Sequence, residues 1–160
     1  MIADILQFAD DVSASDHDRS IDVVMDKLET AFQDISEFCS SRDMTVNAAK
    51  TQFIIIKAST KRLPDDVSIT LDDAVIPASS AVKLLGVTID SHLTFGEHIV
   101  GTVSRCHGLL GLLHRAAPSL TRDLLRLAYM ALVRTHLEYC STLLISVSSC
   151  HTTKLEVVQK

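Results

Sequence analysis

The spacing of apolar positions changes several times along this chain, and each change marks an element. Ile2 to Leu6 and Val12 to Ala14 read as short strands on either side of Gln7-Phe8-Ala9-Asp10-Asp11, which predicts a hairpin bend carrying adjacent carboxylates. Ile21, Val24, Leu28, Ala31, Ile35 and Phe38 then recur at intervals of three and four, while Lys27, Glu29, Asp34 and Glu37 fall largely off that stripe. That is the period of an amphipathic helix ending between Ser40 and Asp43, with Ser15 or Asp18 to cap its start. Met44 to Thr51 is a connection, and Gln52 to Lys57, with three consecutive isoleucines, reads as a strand. Ser59 to Asp66 is polar and holds Pro64, so a loop is expected. Val67 to Leu71 and Ala74 to Ile76 predict a small hairpin turning at Asp72-Asp73. Val82 to Ile89 predicts a strand region whose central Gly86 marks a bulge or a close backbone approach.

After Asp90 the helical period returns. Ile99, Val103, Cys106, Leu110 and Leu113 predict a helix that stops before Pro118. Ser119 or Thr121 can open the next, with a stripe of Leu124, Leu127, Ala128, Ala131 and Thr135. From Ser141 onward the pattern fits neither period. The order of strand pair, helix, strands and then helices predicts an α+β chain with a helical end.

Composition narrows the classes. With 160 residues, 47% of them hydrophobic and 22% charged, the chain can build a core and is neither disordered nor collagen-like. Its apolar runs are too short for a membrane helix, and Asp4, Asp10 and Asp11 interrupt the segment where a signal peptide would need an apolar centre. The net charge of −5 hides a gradient: residues 1–50 carry four basic and eleven acidic side chains, whereas residues 101–160 carry seven and three. The last third therefore suits a polyanion, and the acidic first third calls for metal ions or a partner to neutralise it. Cys39, Cys106, Cys140 and Cys150 are widely spaced, which favours reduced thiols and an intracellular protein, in cytoplasm or nucleus.

Asp10 and Asp11 are the chemistry-bearing pair. Along a straight strand neighbouring side chains diverge, but at a tight bend two carboxylates can face one hard cation such as Mg²⁺. A site for two such ions needs at least one more carboxylate from another element. Asp is also common in turns for its own hydrogen bonding, so a solvated Asp-Asp bend is the alternative. His136 and Cys140, four apart, and Cys150-His151 lack the spacing of a zinc site.

Several ordered blocks resemble the reverse transcriptases of non-LTR (LINE-like) retrotransposons. Phe8-Ala9-Asp10-Asp11 resembles the family's F/Y-A-D-D motif, and Met44-Thr45-Val46-Asn47-Ala48-Ala49-Lys50-Thr51 its L-x-(L/V)-N-x-x-K-T block. Val82-Lys83-Leu84-Leu85-Gly86-Val87-Thr88-Ile89-Asp90 resembles V-K-Y-L-G-V-x-I-D, and Leu93 to Ile99 resembles L-x-W-x-x-H-I with Phe95 in place of Trp. His136-Leu137-Glu138-Tyr139-Cys140 and Leu155 to Gln159 are similar to the family's later helical region.

The resemblance implies part of a polymerase palm, antiparallel strands with a packed helix, over residues 1–92, followed by a truncated thumb-like helical region over 93–160. It implies Asp10 and Asp11 as catalytic ligands of Mg²⁺ (or Mn²⁺), and Lys50 as a catalytic contact to nucleotide or pyrophosphate. Leu85 and Gly86 would lie in a primer-grip hairpin, and Arg105, Arg115, Arg122, Arg126 and Arg134 against nucleic-acid phosphates. Phe8, Ala9, Asn47, Thr51, Asp90 and His98 would be structural members of these motifs. The implied partners are an RNA template, a DNA primer and deoxynucleoside triphosphates, with no membrane. The family's earlier aspartate strand and P-Q-G loop precede F-A-D-D. The expectation is therefore a fragment, inactive in isolation, from a decayed copy or an incomplete gene model. The alternatives are a non-catalytic module binding nucleic acid or protein, and a functionless relic.

Overall fold

A computed structural model of the chain describes residues 3–58, 67–71 and 74–159. It shows a mixed α+β architecture in which small sheets are followed by several packed helices. Two compact units emerge: Met1–Ile55 with Thr60–Ser79, and Ile56–Ser59 with Ser80–Lys160.

In the first unit, β1 (Asp4–Phe8) and β2 (Asp11–Ser15) form the expected antiparallel hairpin. Phe8 lies opposite Asp11, so the turn is the two residues Ala9-Asp10, and Ala9 takes a left-handed φ of 54°. Two-residue hairpin turns demand such angles because only they match the twist of the strands. Helix α1 runs Ile21–Ser40 as its period predicts. Neither expected cap stands at its N-cap position, which is Ser20; Asp18 works two residues earlier, its Oδ1 accepting from the Ser20 amide at 3.0 Å. Leu28 and Ala31 are buried, with Val24, Met25 and Phe32 packed beside them. Phe38, predicted for the same stripe, is instead 52% exposed and carries the Arg42 guanidinium 3.7 Å over its ring. An ion pair of 2.8 Å joins Lys27 to Asp16 ahead of the helix, and this hydrogen bond holds the Asp16 carboxyl below its ordinary range and raises Lys27.

Helix α1 packs on a three-stranded sheet of order β3 (Phe53–Ile54), β5 (Ala74–Ser79), β4 (Ser68–Leu71). Phe53, Ile69, Leu71 and Ile76 close the core against Leu28 and Ala31. Two expectations change here. The isoleucine-rich stretch supplies only two strand residues, and β3 pairs with β5 in parallel rather than antiparallel fashion. The Asp72-Asp73 turn lies outside the described residues.

In the second unit, the strand region over residues 82–89 is a hairpin, β6 (Ala81–Leu84) and β7 (Val87–Asp90), with Gly86 in its turn rather than in a bulge. Its turn, Leu85-Gly86, has φ of 46° and 85°, positive at both positions. That is the I′ pattern, for which Asn-Gly is the usual solution. Helix α2 (Gly96–Ala116) follows and gives way to a 3₁₀ turn at Ala117–Ser119 containing Pro118. Thr121 caps α3 (Arg122–Tyr129), its hydroxyl accepting from the Leu124 amide.

Helix α3 continues without a break into a π-helical stretch, Met130–Arg134, and then α4 (Thr135–Glu138). The expected stripe fails at its start: Leu127 is 65% exposed, and Leu124 is exposed too. The inward series is instead Tyr129, Val133 and Leu137, four apart, which pack with Cys106 and Val158. The tail resolves into a 3₁₀ segment, Ser141–Ser146, and α5 (Ser149–Gln159), which lies along α2. All four cysteines are unpaired thiols. No helix of the described residues is long and apolar enough to cross a membrane.

The I′ turn yields a test of local strain. Replacing Leu85 by Asn should stabilise the chain by about 0.5–1 kcal/mol, since Asn tolerates the left-handed region that penalises Leu. Gly86→Ala should destabilise by about 1–2 kcal/mol. A Cβ there would meet the Tyr139 ring at 3.7 Å, ordinary contact, so that loss measures backbone strain alone. Urea denaturation of the two variants checks both signs.

Candidate functional site

The β1–β2 turn places Asp10 at its second position and Asp11 on the first residue of β2. Residues directly opposite in an antiparallel pair share a face, and faces alternate along each strand. Asp11 therefore shares a face with Phe8, Leu6 and Ser13, while Ala14 on the other face packs toward the α1 core. The shared face is open: Leu6 is 70% and Phe8 67% exposed. Both aspartates are exposed as well. Among the described residues, no group of three or more His, Cys, Asp or Glu side chains converges on a point that could hold a metal ion. Oxygen donors are right for Mg²⁺, but this pair offers too few for its octahedral shell without substrate or further groups. Asp10 and Asp11 by themselves do not make a metal centre.

Asn47, Lys50 and Thr51 are brought together in one turn. The Asn47 carbonyl accepts from the amides of Lys50 at 3.0 Å and Thr51 at 3.1 Å, and from the Thr51 hydroxyl at 3.0 Å. The Asn47 side chain adds a longer bond to the Lys50 amide. The N-x-x-K-T spacing is thus the spacing of a self-closing turn, with Lys50 exposed on it.

In the second unit the Leu85-Gly86 turn is held from outside its own hairpin. The Tyr139 hydroxyl donates to the Leu85 carbonyl at 2.6 Å, and its ring lies beside Gly86. Asp90 ends β7 and organises everything that follows. Its Oδ1 accepts from the amides of His92 at 3.0 Å and Thr94 at 3.1 Å, and its Oδ2 from the Thr94 hydroxyl at 3.0 Å and the Phe95 amide at 2.7 Å. Partial desolvation pushes this carboxyl upward, but the four donors outweigh it and hold it below its ordinary range. The N-cap residue of α2, Phe95, makes no side-chain cap bond of its own, and Asp90 brings a negative charge to that helix start. His98 takes the Thr88 amide on Nδ1 at 3.4 Å, and its burial lowers its basicity.

Arg105 and Arg115 are exposed on α2, and Arg122 and Arg126 on α3, one turn apart on one side of that helix. Arg134 is paired with Glu138 and borders a surface cleft of about 260 Å³ with Tyr129, Met130 and Gln159. A second cleft, of about 430 Å³, lies between α1 and β4 and is lined by Glu29, Phe32, Gln33, Ser36, Thr70 and Leu71, none of them a residue that the motifs single out. Spacing also passed over Tyr139 as a site residue. It stands inside the His136 to Cys140 block, but a partner 54 positions away leaves no periodic signature.

Over 100 residues, 62% of its length, the chain is 27% identical to the Drosophila melanogaster protein described as "Probable RNA-directed DNA polymerase from transposon BS". The relationship is weak and partial. The chain covers 11% of that protein's length. No family model matches the chain, and no solved structure does.

Proposed function

We propose that this chain is part of the RNA-directed DNA polymerase of a non-LTR retrotransposon, comprising a portion of the palm, through about residue 92, and thumb-like helices from residue 93. The observation that carries this reading is the two-residue hairpin that sets Asp10 and Asp11 at an exposed tip, in a chain with distant kinship to a reverse-transcriptase-like sequence. In that role Asp10 and Asp11 contribute carboxylate oxygens to a Mg²⁺ site whose remaining ligands come from other groups. When bound, the ion would activate a primer 3′-hydroxyl and neutralise the phosphates of the incoming nucleotide. Lys50, on its self-closed turn, supplies a cation toward a triphosphate. The Leu85-Gly86 turn meets the primer end, and Arg105, Arg115, Arg122, Arg126 and Arg134 meet backbone phosphates. The excess of basic side chains in residues 101–160 supports the last assignment.

Binding of an RNA–DNA primer–template, followed by fluorescence anisotropy across a salt titration, tests the reading. Wild type should bind at low salt, with affinity falling steeply as salt rises. Arg122→Gln combined with Arg126→Gln should weaken binding to every sequence alike and reduce the salt slope by about 2. Absence of binding at low salt would sink the proposal. Primer extension by these 160 residues should not exceed that of an Asp10→Asn control, because two carboxylates cannot align a two-ion reaction.

A further inference from the structure

The Leu85-Gly86 peptide unit sits at the tip of a two-stranded ribbon, beyond the last ladder pair, Leu84 with Val87. Such tips fray readily, since a lone hairpin is marginal in water. Here the tip is tied down by a residue from the far end of the unit. Chain direction changes sharply at that residue: Tyr139 leaves α4 with extended φ and ψ of −60° and 123°, and Cys140 follows at φ 53°. The break directs the Tyr139 ring to the turn, where it lies 3.7 Å from the position a Gly86 Cβ would occupy, and the hydroxyl reaches the Leu85 carbonyl at 2.6 Å.

We infer that Tyr139 is a positioning residue that clamps the Leu85-Gly86 peptide so that the Gly86 N–H is presented to a phosphate of a nucleic-acid strand. In a planar trans peptide the carbonyl and the following N–H point in opposite directions. Fixing the Leu85 oxygen on the Tyr139 hydroxyl therefore fixes the Gly86 N–H on the other side of the turn. Glycine at this position leaves the donor unshielded by a side chain, and backbone N–H groups are regular partners of phosphate oxygens. The clamp stands on the structure; the identity of the phosphate, one near the primer 3′ end, rests on the function proposed above.

The test uses Tyr139→Phe, which keeps the ring and removes only the hydroxyl. The Leu85 carbonyl ¹³C and Gly86 amide resonances report the clamp directly, and both should shift in the variant. Binding is then measured with RNA–DNA primer–templates in which each of the last few primer phosphates is replaced, one at a time, by a neutral methylphosphonate. Wild type should lose about three- to tenfold in affinity at one position, the range of a single net hydrogen bond. Tyr139→Phe should bind the unmodified primer weaker by a similar factor and should no longer respond to that methylphosphonate. A residue that merely supports folding would weaken binding yet leave the response intact, and that outcome overturns the inference. So does an unchanged Leu85 carbonyl resonance. If wild type binds but responds to no primer position, presentation to a primer phosphate is wrong. If wild type does not bind at all, the reading of the turn as a primer contact falls, and the carbonyl resonance still decides the clamp.

Discussion

Asp90→Ala is expected to destabilise the chain by about 2–3 kcal/mol, among the largest effects available from a single polar residue. Three backbone amides, those of His92, Thr94 and Phe95, and the Thr94 hydroxyl converge on this one carboxylate. Removing it strands donors in a loop whose only alternative partner is water, and takes a negative charge from the start of α2. Asp90→Asn should recover part of the loss, because the amide keeps one oxygen and turns the other acceptor into a donor. Urea unfolding followed by circular dichroism measures the series. The pH dependence has a definite sign. The folded carboxyl titrates below its ordinary value of 3.8, so its contribution is complete above that pH and is lost as pH falls through the depressed folded value. Wild type should therefore lose stability more steeply than Asp90→Ala as pH drops below about 4. Equal acid sensitivity of the two would show that the four bonds carry no charge-dependent stability.

Ile69→Ala should cost about 2–5 kcal/mol in the first unit. Ile69 is 0% exposed, stands opposite Ile76 across the β4–β5 ladder and belongs to the cluster that includes Leu28 and Ala31 of α1. The lost transfer energy adds to that of a cavity which a close-packed neighbourhood only partly refills. Val75→Ala, on the same sheet but exposed, is the matched control and should stay within about 0.5 kcal/mol of wild type. If the two substitutions cost the same, the core assigned to this sheet is wrong.

Much of the architecture was legible in the sequence because it is local. The bend at Ala9-Asp10, the long helix from Ile21 and the helix that ends before Pro118 all follow from period and punctuation. What stayed hidden depends on geometry that a one-dimensional pattern does not encode. Gly86 signals a special backbone position without saying whether that is a bulge or a turn; the I′ turn also needs Leu85 in a conformation its side chain resists. The α3 stripe goes wrong from its first members: Leu124 and Leu127 face water, while Val133 and Leu137 turn inward against α2, a partner that period alone does not name. Of the site, the aspartate pair and the Asn47 turn could be read as units. Asp90 could be read as a motif member but not as the acceptor of four bonds, and Tyr139 could be read only as part of a block.

The β1–β2 ribbon has a practical consequence for anyone preparing the protein. Among the described residues each of its strands pairs only with the other, and one face carries Leu6 and Phe8 in the open. Two copies meeting edge to edge would each gain a ladder of main-chain bonds and cover those side chains. Yield should then be limited by concentration rather than by folding. Dilute preparations would remain clear, concentrated ones would develop strand-rich precipitate, and a Lys at Leu6 would raise the threshold at which this begins.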